Sequence, residues 1–447
     1  MASARAVPIL CLVQFIDVLG VTVVVTALPA MLRSFHAPAS GGALVVAGYA
    51  MCFGALLMTG ARLGDRYGHR RAILVSLVVY ACGGLTGAVA NSVPMLGAAR
   101  CLQGASAAAA VPAALRLLTT LTADGAPRHR AMAAWSATGA AAGASGFVVG
   151  GGLTQLSGWR ASFWVNIGCA ALLAIAVLRS VPADQHTGRS MPLDLPGSAT
   201  LTAAVMAVIL ATSLIGDTGG RPSGLALLAA GGALTGLFTI VERRAAGPLL
   251  PRTAVRSATL RAGSGAAFLN TATTSSAMTL ATLYLQGRVG QSPLQAGASL
   301  LPFSLAVIGG AALGPPALRR LGPRLTVSAG LVVIAAADAA LAAAAGPATI
   351  PITAALGGCG IGLSSVAATT LAIAVKPELR GTASGIVNTA AQLGTAVGVA
   401  ALLLVAEIAS QTLAWACAAG IAMAGALRYV SSANSGRSNS TSHVSHQ

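Results

Sequence analysis

The chain has 447 residues, of which 55% are hydrophobic and only 8% are charged, and its formal net charge is +17. Apolar runs of about 20 residues recur along its whole length, so the composition excludes a set of soluble domains and a β-barrel and indicates an all-α polytopic membrane protein. The basic residues stand in short clusters between apolar runs, which is typical of the positive-inside pattern and argues against a nucleic-acid-binding surface.

The apolar runs predict fourteen transmembrane helices. In chain order they are 8–32, 42–62, 72–91, 94–118, 131–156, 160–180, 193–215, 223–241, 260–286, 295–318, 324–345, 349–375, 382–406 and 411–430. They form an N-terminal six-helix half (8–180), an inserted two-helix linker (193–241) and a C-terminal six-helix half (260–430). We expect the polar tail 431–447 to be disordered, and the first run is too long for a signal peptide.

The basic residues predict the orientation of the chain in the membrane. An even number of spans places both termini on one side. If that side is the cytoplasm, only Arg33, Arg100, Arg160, Arg221 and Arg288 among the 27 basic residues fall elsewhere. The sequence therefore predicts a multi-pass protein of the cell membrane with both termini in the cytoplasm.

Carboxylates within predicted spans are candidate proton carriers, because an ionisable group in a membrane is costly and marks function. Asp17 lies near the middle of the first helix, one turn after Gln14, and is the leading candidate. Asp338, among alanines, is a second candidate, and Glu407 stands at the edge of a span. A purely structural hydrogen bond is the alternative role for Asp17.

The sequence GARLGDRYGHRR, residues 60–71, concentrates charge between two apolar helices. Gly60 and Gly68 permit close approach and a tight turn. Asp65 can accept hydrogen bonds from a helix N-terminus and can pair with Arg66 or Arg70. We expect this cytoplasmic loop to be a polar latch for gating; the alternative is that its charges set the topology alone.

Arg100 lies inside the fourth predicted helix. A guanidinium within a span costs about 3 kcal/mol even on the lenient insertion scale, so it needs a partner or water. Gln103 shares its helical face. A snorkelling arginine that reaches the outer surface is the alternative.

Small residues form a stripe along the fifth predicted helix, at Gly139, Gly143, Gly146, Gly150 and Gly151. Such a stripe allows close contact between helices in a membrane.

Four amides are candidate residues of a substrate cavity: Gln14, Asn270, Asn388 and Gln392. Asn388 and Gln392 share one helical face. Amides rank above Ser and Thr here, because hydroxyls in spans usually bond to their own helix.

Two pairs of cytoplasmic loops repeat along the chain. Residues 60–70 match 314–324 at an offset of 254, and 127–133 match 377–383 at an offset of 250. Two matches at nearly one offset indicate a parallel duplication of six helices, a design that belongs to one large class of transporters. The second copy has Arg319 where the first has Asp65.

Several motifs carry a family resemblance. GARLGDRYGHRR is similar to the loop signature of the major facilitator superfamily, and RCLQGASAA (100–108) resembles the helix-4 signature of its drug:proton antiporters. TVVVTALPAM (22–31), MPLDLPG (191–197) and ASGIVNTAAQLGTAVGVA (383–400) resemble signatures of the 14-helix branch. The resemblance implies two pseudo-twofold halves, a gating role for Asp65, and an Arg100 that tunes proton release from a nearby acid.

The chain departs from that family pattern at two positions. The branch's usual helix-1 aspartate aligns with Gly20, three residues after Asp17. In the helix-5 signature, Phe147 replaces a proline, so the packing role of the glycines is kept and the proline kink is not.

These features predict a transporter and not an enzyme: a proton-coupled exporter of small amphipathic drugs or antibiotics, working by alternating access as a monomer in the lipid bilayer. It would use the proton gradient and no cofactor or metal. A symporter or uniporter of a metabolite with the same fold is the main alternative, and a non-transporting receptor or scaffold is another. The lack of a GxxxxGK[ST] loop in this sequence argues against ATP-driven transport.

Overall fold

The computed structural model describes residues 2–182, 192–216, 219–245, 247–376 and 379–444. Within them the chain folds into fifteen α-helices and one 3-10 turn, Ala39–Gly41. The helices are α1 (Ala2–Ser34), α2 (Gly42–Tyr67), α3 (His69–Ala88), α4 (Val93–Leu121), α5 (Ala126–Ser157), α6 (Arg160–Ser180), α7 (Leu195–Gly216), α8 (Arg221–Arg244), α9 (Arg252–Arg256), α10 (Ala258–Gly287), α11 (Pro293–Leu321), α12 (Pro323–Ala344), α13 (Thr349–Ala372), α14 (Arg380–Ile408) and α15 (Gln411–Val444).

Each of the fourteen predicted helices is present, and the short α9 is the only addition within the described residues. Twelve of the long helices are apolar enough to cross a membrane. The other two long helices, α5 with 32 residues and α10 with 30, are long enough to cross a membrane but are not among these twelve.

The charged loop predicted after the second helix is itself helical. α2 continues through Asp65 to Tyr67, only Gly68 interrupts the helix, and α3 begins at His69. Gly68 has a φ of 96° and Gly322, between α11 and α12, has a φ of 77°. Because glycine adopts a positive φ without steric cost, one residue is enough to turn the chain at both places.

The last helix extends beyond its predicted end. α15 does not end at residue 430 but continues to Val444, across most of the segment predicted to be disordered. The extension contains no proline, and a helix that is already formed gains one hydrogen bond for each residue added.

The two six-helix groups use the same helix pairings. In the first group, α2 and α3 pack on α4, α1 packs on α5, and α3 packs on α6. In the second group, the corresponding helices pair in the same way: α11 and α12 pack on α13, α10 packs on α14, and α12 packs on α15. The groups meet through α2 with α14 and α5 with α11. Of the inserted pair, α7 lies against both α2 and α14, and α8 packs on α7.

Close helix contacts repeat at the loop offset of 254 residues. A Cβ on Gly104 of α4 would collide with the carbonyl oxygen of Tyr49 in α2, and a Cβ on Gly358 of α13 would collide with that of Phe303 in α11. Glycine at these positions lets each pair of helices touch backbone to backbone.

We therefore expect Gly104→Ala to lower the free energy of unfolding by about 2 kcal/mol, because the added methyl group overpacks the α2–α4 contact. Thermal unfolding of the purified protein in detergent measures the loss. Gly168→Ala in α6 is the matched control, since a Cβ there meets no atom within 4 Å. Equal melting temperatures for the two variants would contradict this account.

Candidate functional site

The centre of the N-terminal group holds a buried carboxylate. Asp17, in the middle of α1, is only 8% exposed and accepts a hydrogen bond from the hydroxyl of Tyr49 in α2. Tyr49 is itself buried. The predicted proton carrier is therefore enclosed between helices and has a defined partner.

Arg100 lies beside this pair and does not snorkel, since it is only 1% exposed. Its Nη1 donates to Gln103 Oε1 at 2.6 Å and to the Gly20 carbonyl at 3.4 Å, and its Nε donates to the Val45 carbonyl at 3.3 Å. The guanidinium carbon stands 4.4 Å from the centre of the Tyr49 ring. The structure thus brings Asp17, Arg100 and Gln103 into one cluster, with Tyr49 between the two charges.

A small cavity adjoins Asp17. It measures about 20 Å³ and its lining includes Asp17, Tyr80 of α3 and Ser106 of α4. This volume is enough for one water molecule. The Tyr80 hydroxyl is buried and has no hydrogen-bond partner among the described residues, so a protonatable carboxyl and a free phenol face the same space.

The position of Tyr80 explains why the acid stands at Asp17 and not at Gly20. A Cβ on Gly20 would collide with the Tyr80 hydroxyl. Asp17 lies one turn earlier on the same face of α1 and reaches Tyr49 instead.

This cluster can couple a proton to an electrostatic change. Ionised Asp17 is a buried anion that accepts from Tyr49 and balances nearby Arg100. Protonation removes that charge in a low-dielectric setting, where charge interactions are strong. Uptake or loss of one proton therefore changes the forces between α1, α2 and α4.

Asp338, the second predicted proton carrier, lies elsewhere. It is 3% exposed in α12, which packs on α13 and α15 of the C-terminal group. Its Oδ2 has no hydrogen-bond partner among the described residues. It is not part of the Asp17 cluster, and its titration stays a prediction.

The glycine stripe of α5 packs against two helices. Gly146 and Gly150 lie against Thr22 and Val23 of α1, and Gly151 lies against the backbone of Pro293 at the start of α11. A Cβ on Gly139 would stand next to the Gln14 side chain, and a Cβ on Gly143 would stand 3.7 Å from Ser304 Oγ. α5 runs unbroken past Phe147, whose carbonyl oxygen touches Gly297 of α11. The stripe therefore serves contacts within one half and between halves.

Three contacts of the predicted latch join parts of the N-terminal group. Asp65 is half exposed and pairs with His69 at 3.5 Å, and Arg66 stands over the ring of Tyr67 at 5.5 Å. Arg70 donates to the Leu178 carbonyl of α6 at 2.7 Å.

Two glycines shape the same segment. A Cβ on Gly60 would collide with the backbone of Ala108 in α4, and Gly68 makes the turn into α3. The glycines thus have the close-approach and turning roles expected of them, and the gating role of Asp65 stays a prediction.

The four candidate amides do not form one cluster. Gln14 is half-buried beside Gly139, and Gln392 packs on Gly54 where α14 meets α2. Asn388 is exposed, whereas Asn270 is fully buried and neither atom of its amide has a partner among the described residues. Their role in a substrate cavity stays a prediction.

Sequence reasoning missed two polar contacts that join the two groups. Gln286, at the end of α10, donates to the Thr26 carbonyl of α1 at 2.8 Å, and Glu407, at the end of α14, accepts from the Ala39 amide at 3.1 Å. Both contacts lie at helix ends that the distribution of basic residues predicts to face the outer side. The only available signal was a lone polar side chain at a helix end.

Arg62 was also missed, because it reads as one more charge of the loop segment. It is 7% exposed, and its guanidinium donates to the carbonyls of Pro192, Gly247 and Pro248, which flank the inserted helices. Arg62 therefore attaches the base of the insert to α2.

Comparison with known proteins agrees with this architecture. The sequence model of the Major Facilitator Superfamily matches residues 10–399 and, in a second match, 263–445. The puromycin resistance protein pur8 of Streptomyces alboniger is 35% identical over 402 residues, covering 87% of this chain and 79% of the relative. The cephamycin export protein CmcT of Amycolatopsis lactamdurans is 34% identical over 418 residues, covering 90% and 85%.

Among solved structures, the chain is similar to that of the human organic anion transporter MFSD10 (TETRAN). The TM-score is 0.65 at 16% identity, with 96% of this chain and 99% of the other covered. At this identity the likeness shows the fold alone.

Proposed function

Because the chain belongs to the major facilitator superfamily, a family of multi-pass membrane transporters and not of enzymes, we propose that it exports small amphipathic compounds, including antibiotics, in exchange for protons. The names of two relatives support the direction and the class of compound, since one confers puromycin resistance and the other exports cephamycin.

The buried Asp17 is the observation that carries the proton-coupled part of this proposal. Asp17 binds a proton beside Arg100, Tyr49 and a water-sized cavity. A buried carboxylate next to a buried guanidinium is costly in a membrane and fits a proton relay better than a structural role. Proton release and uptake at this acid alternate with substrate binding as the halves move.

The proposed arrangement has fourteen spans, with α1–α6 and α10–α15 as two parallel halves and α7–α8 as the insert. The repeated helix pairings and the two glycine contacts 254 residues apart support it. Both termini lie in the cytoplasm, as the distribution of basic residues indicates. The transporter works as a monomer, with the seam between the halves as the path of the substrate.

Contacts between the halves support a state that is closed on the proposed outer side. Gln286 and Glu407 join the halves there, and the apolar side chains of Leu28, Leu280 and Leu403 are buried in one cluster across the seam. Alternating access requires these contacts to break when the substrate is released outward.

A transport assay with an imposed pH gradient tests the proposal. Purified protein in liposomes with an acidic lumen should accumulate puromycin inside, because antiport moves the drug toward the compartment that supplies protons. Protein-free liposomes correct for passive trapping of this weak base. Accumulation in an alkaline lumen would instead indicate symport, and uptake of puromycin that no gradient alters would contradict proton coupling.

A further inference from the structure

The two six-helix groups meet along two seams, and the repeated helix pairings make these seams equivalent. α2 packs on α14 at one seam, and α5 packs on α11 at the other. Because α11 takes the place of α2 in the second group and α14 takes the place of α5, the same contact is made twice. The inserted pair breaks this equivalence, since α7 lies against both helices of the α2–α14 seam and α8 packs on α7.

The α2–α14 seam is closed toward its proposed cytoplasmic end. Thr389 of α14 donates to the Gly54 carbonyl of α2 at 3.1 Å, and a Cβ on Gly385 would collide with the Met58 sulfur. Gly385 lies only about 8 Å of helix from the start of α14, at 1.5 Å per residue. Arg62, one turn after Met58, attaches the base of the insert to the same part of α2. The insert therefore covers a seam that the two groups already close.

The contacts of the α5–α11 seam lie nearer the outer side. The Phe147 carbonyl of α5 lies against Gly297 of α11, and both residues are buried. Further in, a Cβ on Gly143 would stand 3.7 Å from Oγ of the buried Ser304. Gly143 is still about 25 Å of helix from the start of α5, at 1.5 Å per residue. These contacts thus all lie in the outer halves of the two helices.

Toward the cytoplasmic side, the facing sides of α5 and α11 are exposed. One face of a helix continues at spacings of three and four residues, which leads from the contacts above to Ser136 and Ala133 on α5 and to Ile308 and Pro315 on α11. All four residues are exposed, and Ile308 is 47% exposed. Since facing residues of two packed helices are buried, the helices diverge here. We call the space between these four residues the inner gap.

The walls of the inner gap carry no charge. Residues 132–147 of α5 and 304–318 of α11 contain no Asp, Glu, Lys, Arg or His, and most of them are Ala, Gly, Ser or Pro. Small side chains leave room between the helices. Apolar walls suit a compound that has already left water for the membrane, because a hydrated compound would lose hydrogen bonds there without replacement.

We propose that amphipathic substrates enter from the cytoplasmic leaflet through the inner gap, and that the insert closes the equivalent route between α2 and α14. This inference rests on the proposed export function and adds the place where the protein takes up its substrates. A compound dissolved in the leaflet reaches the space between the halves from one side only, without first returning to the cytoplasm.

Photo-labelling of the full-length protein in phospholipid nanodiscs tests the proposal. The probe is a phosphatidylcholine that carries a diazirine on one acyl chain, and mass spectrometry locates its adducts. Ser136 and Ile308 in the inner gap should carry many more adducts than Met58 and Thr389 in the α2–α14 seam. Leu313 is the matched control, because it lies on the other side of α11 and is 54% exposed, so lipid should label it in any case.

Excess puromycin should then lower the labelling of Ser136 and Ile308 several-fold, because it displaces lipid from the inner gap, and should leave that of Leu313 unchanged. Equal labelling of the two seams, an unlabelled inner gap, or labelling that puromycin alters no more than at Leu313 would overturn the proposal. The transport assay separates this result from the proposed function. Accumulation of puromycin without protection of the gap would overturn the entry route alone, and protection without accumulation would support the route and contradict export.

Discussion

Asp17→Asn should abolish pH-driven accumulation of puromycin in proteoliposomes while leaving the protein folded. A gradient of two pH units supplies about 2.7 kcal/mol, enough for accumulation of about 100-fold at one proton per drug molecule. Asparagine has the size of the acid and still accepts from Tyr49, but it cannot carry a proton. We therefore expect accumulation to fall to the level of protein-free vesicles.

Downhill movement separates loss of coupling from loss of transport. In vesicles without a pH gradient, the Asp17→Asn protein should still release preloaded puromycin, because the asparagine side chain mimics the protonated acid. Asp124→Asn is the matched control, since Asp124 is 85% exposed and pairs with Arg128 at the surface. If Asp338→Asn loses accumulation and Asp17→Asn keeps it, the assignment of the proton carrier is wrong.

The number and order of helices could be predicted because a bilayer demands about 20 apolar residues for each span. The sixth predicted helix, 160–180, agrees with the structure at both ends. Helix ends that extend into water do not need apolar residues, so the sequence does not mark where they stop. α2 continues to Tyr67 because charged side chains are compatible with a helix outside the membrane, and one glycine is enough for the turn.

Helical spacing could place site residues together only where they lie on one helix. Arg100 and Gln103 are three residues apart in α4, so helical spacing placed them together. Tyr49, which links Asp17 to Arg100, comes from α2, and nothing in the order of residues signals that contact. Arg62 likewise finds its carbonyls on segments more than 100 residues away.

Arg100→Lys should keep the positive charge but greatly slow gradient-driven uptake of puromycin. The guanidinium contacts Gly20 O, Val45 O and Gln103 Oε1 at once and lies over the Tyr49 ring. A lysine ammonium is a compact point charge whose three donors share one nitrogen, so it cannot reproduce that planar arrangement. Hydrogen bonds to charged groups contribute about 1.5–3 kcal/mol each, so we expect the rate of gradient-driven uptake to fall by about 100-fold.

Arg160→Lys is a matched control for this change. Arg160 also lies over an aromatic ring, that of Trp159 at 4.1 Å, and also donates to a carbonyl, Ala90 O at 2.8 Å, but it is exposed at the start of α6. Its replacement should leave uptake unchanged, because water supplies the lost hydrogen bonds. If Arg100→Lys transports puromycin as well as Arg160→Lys does, Asp17 needs only a nearby positive charge, and the geometry of Arg100 has no part in coupling.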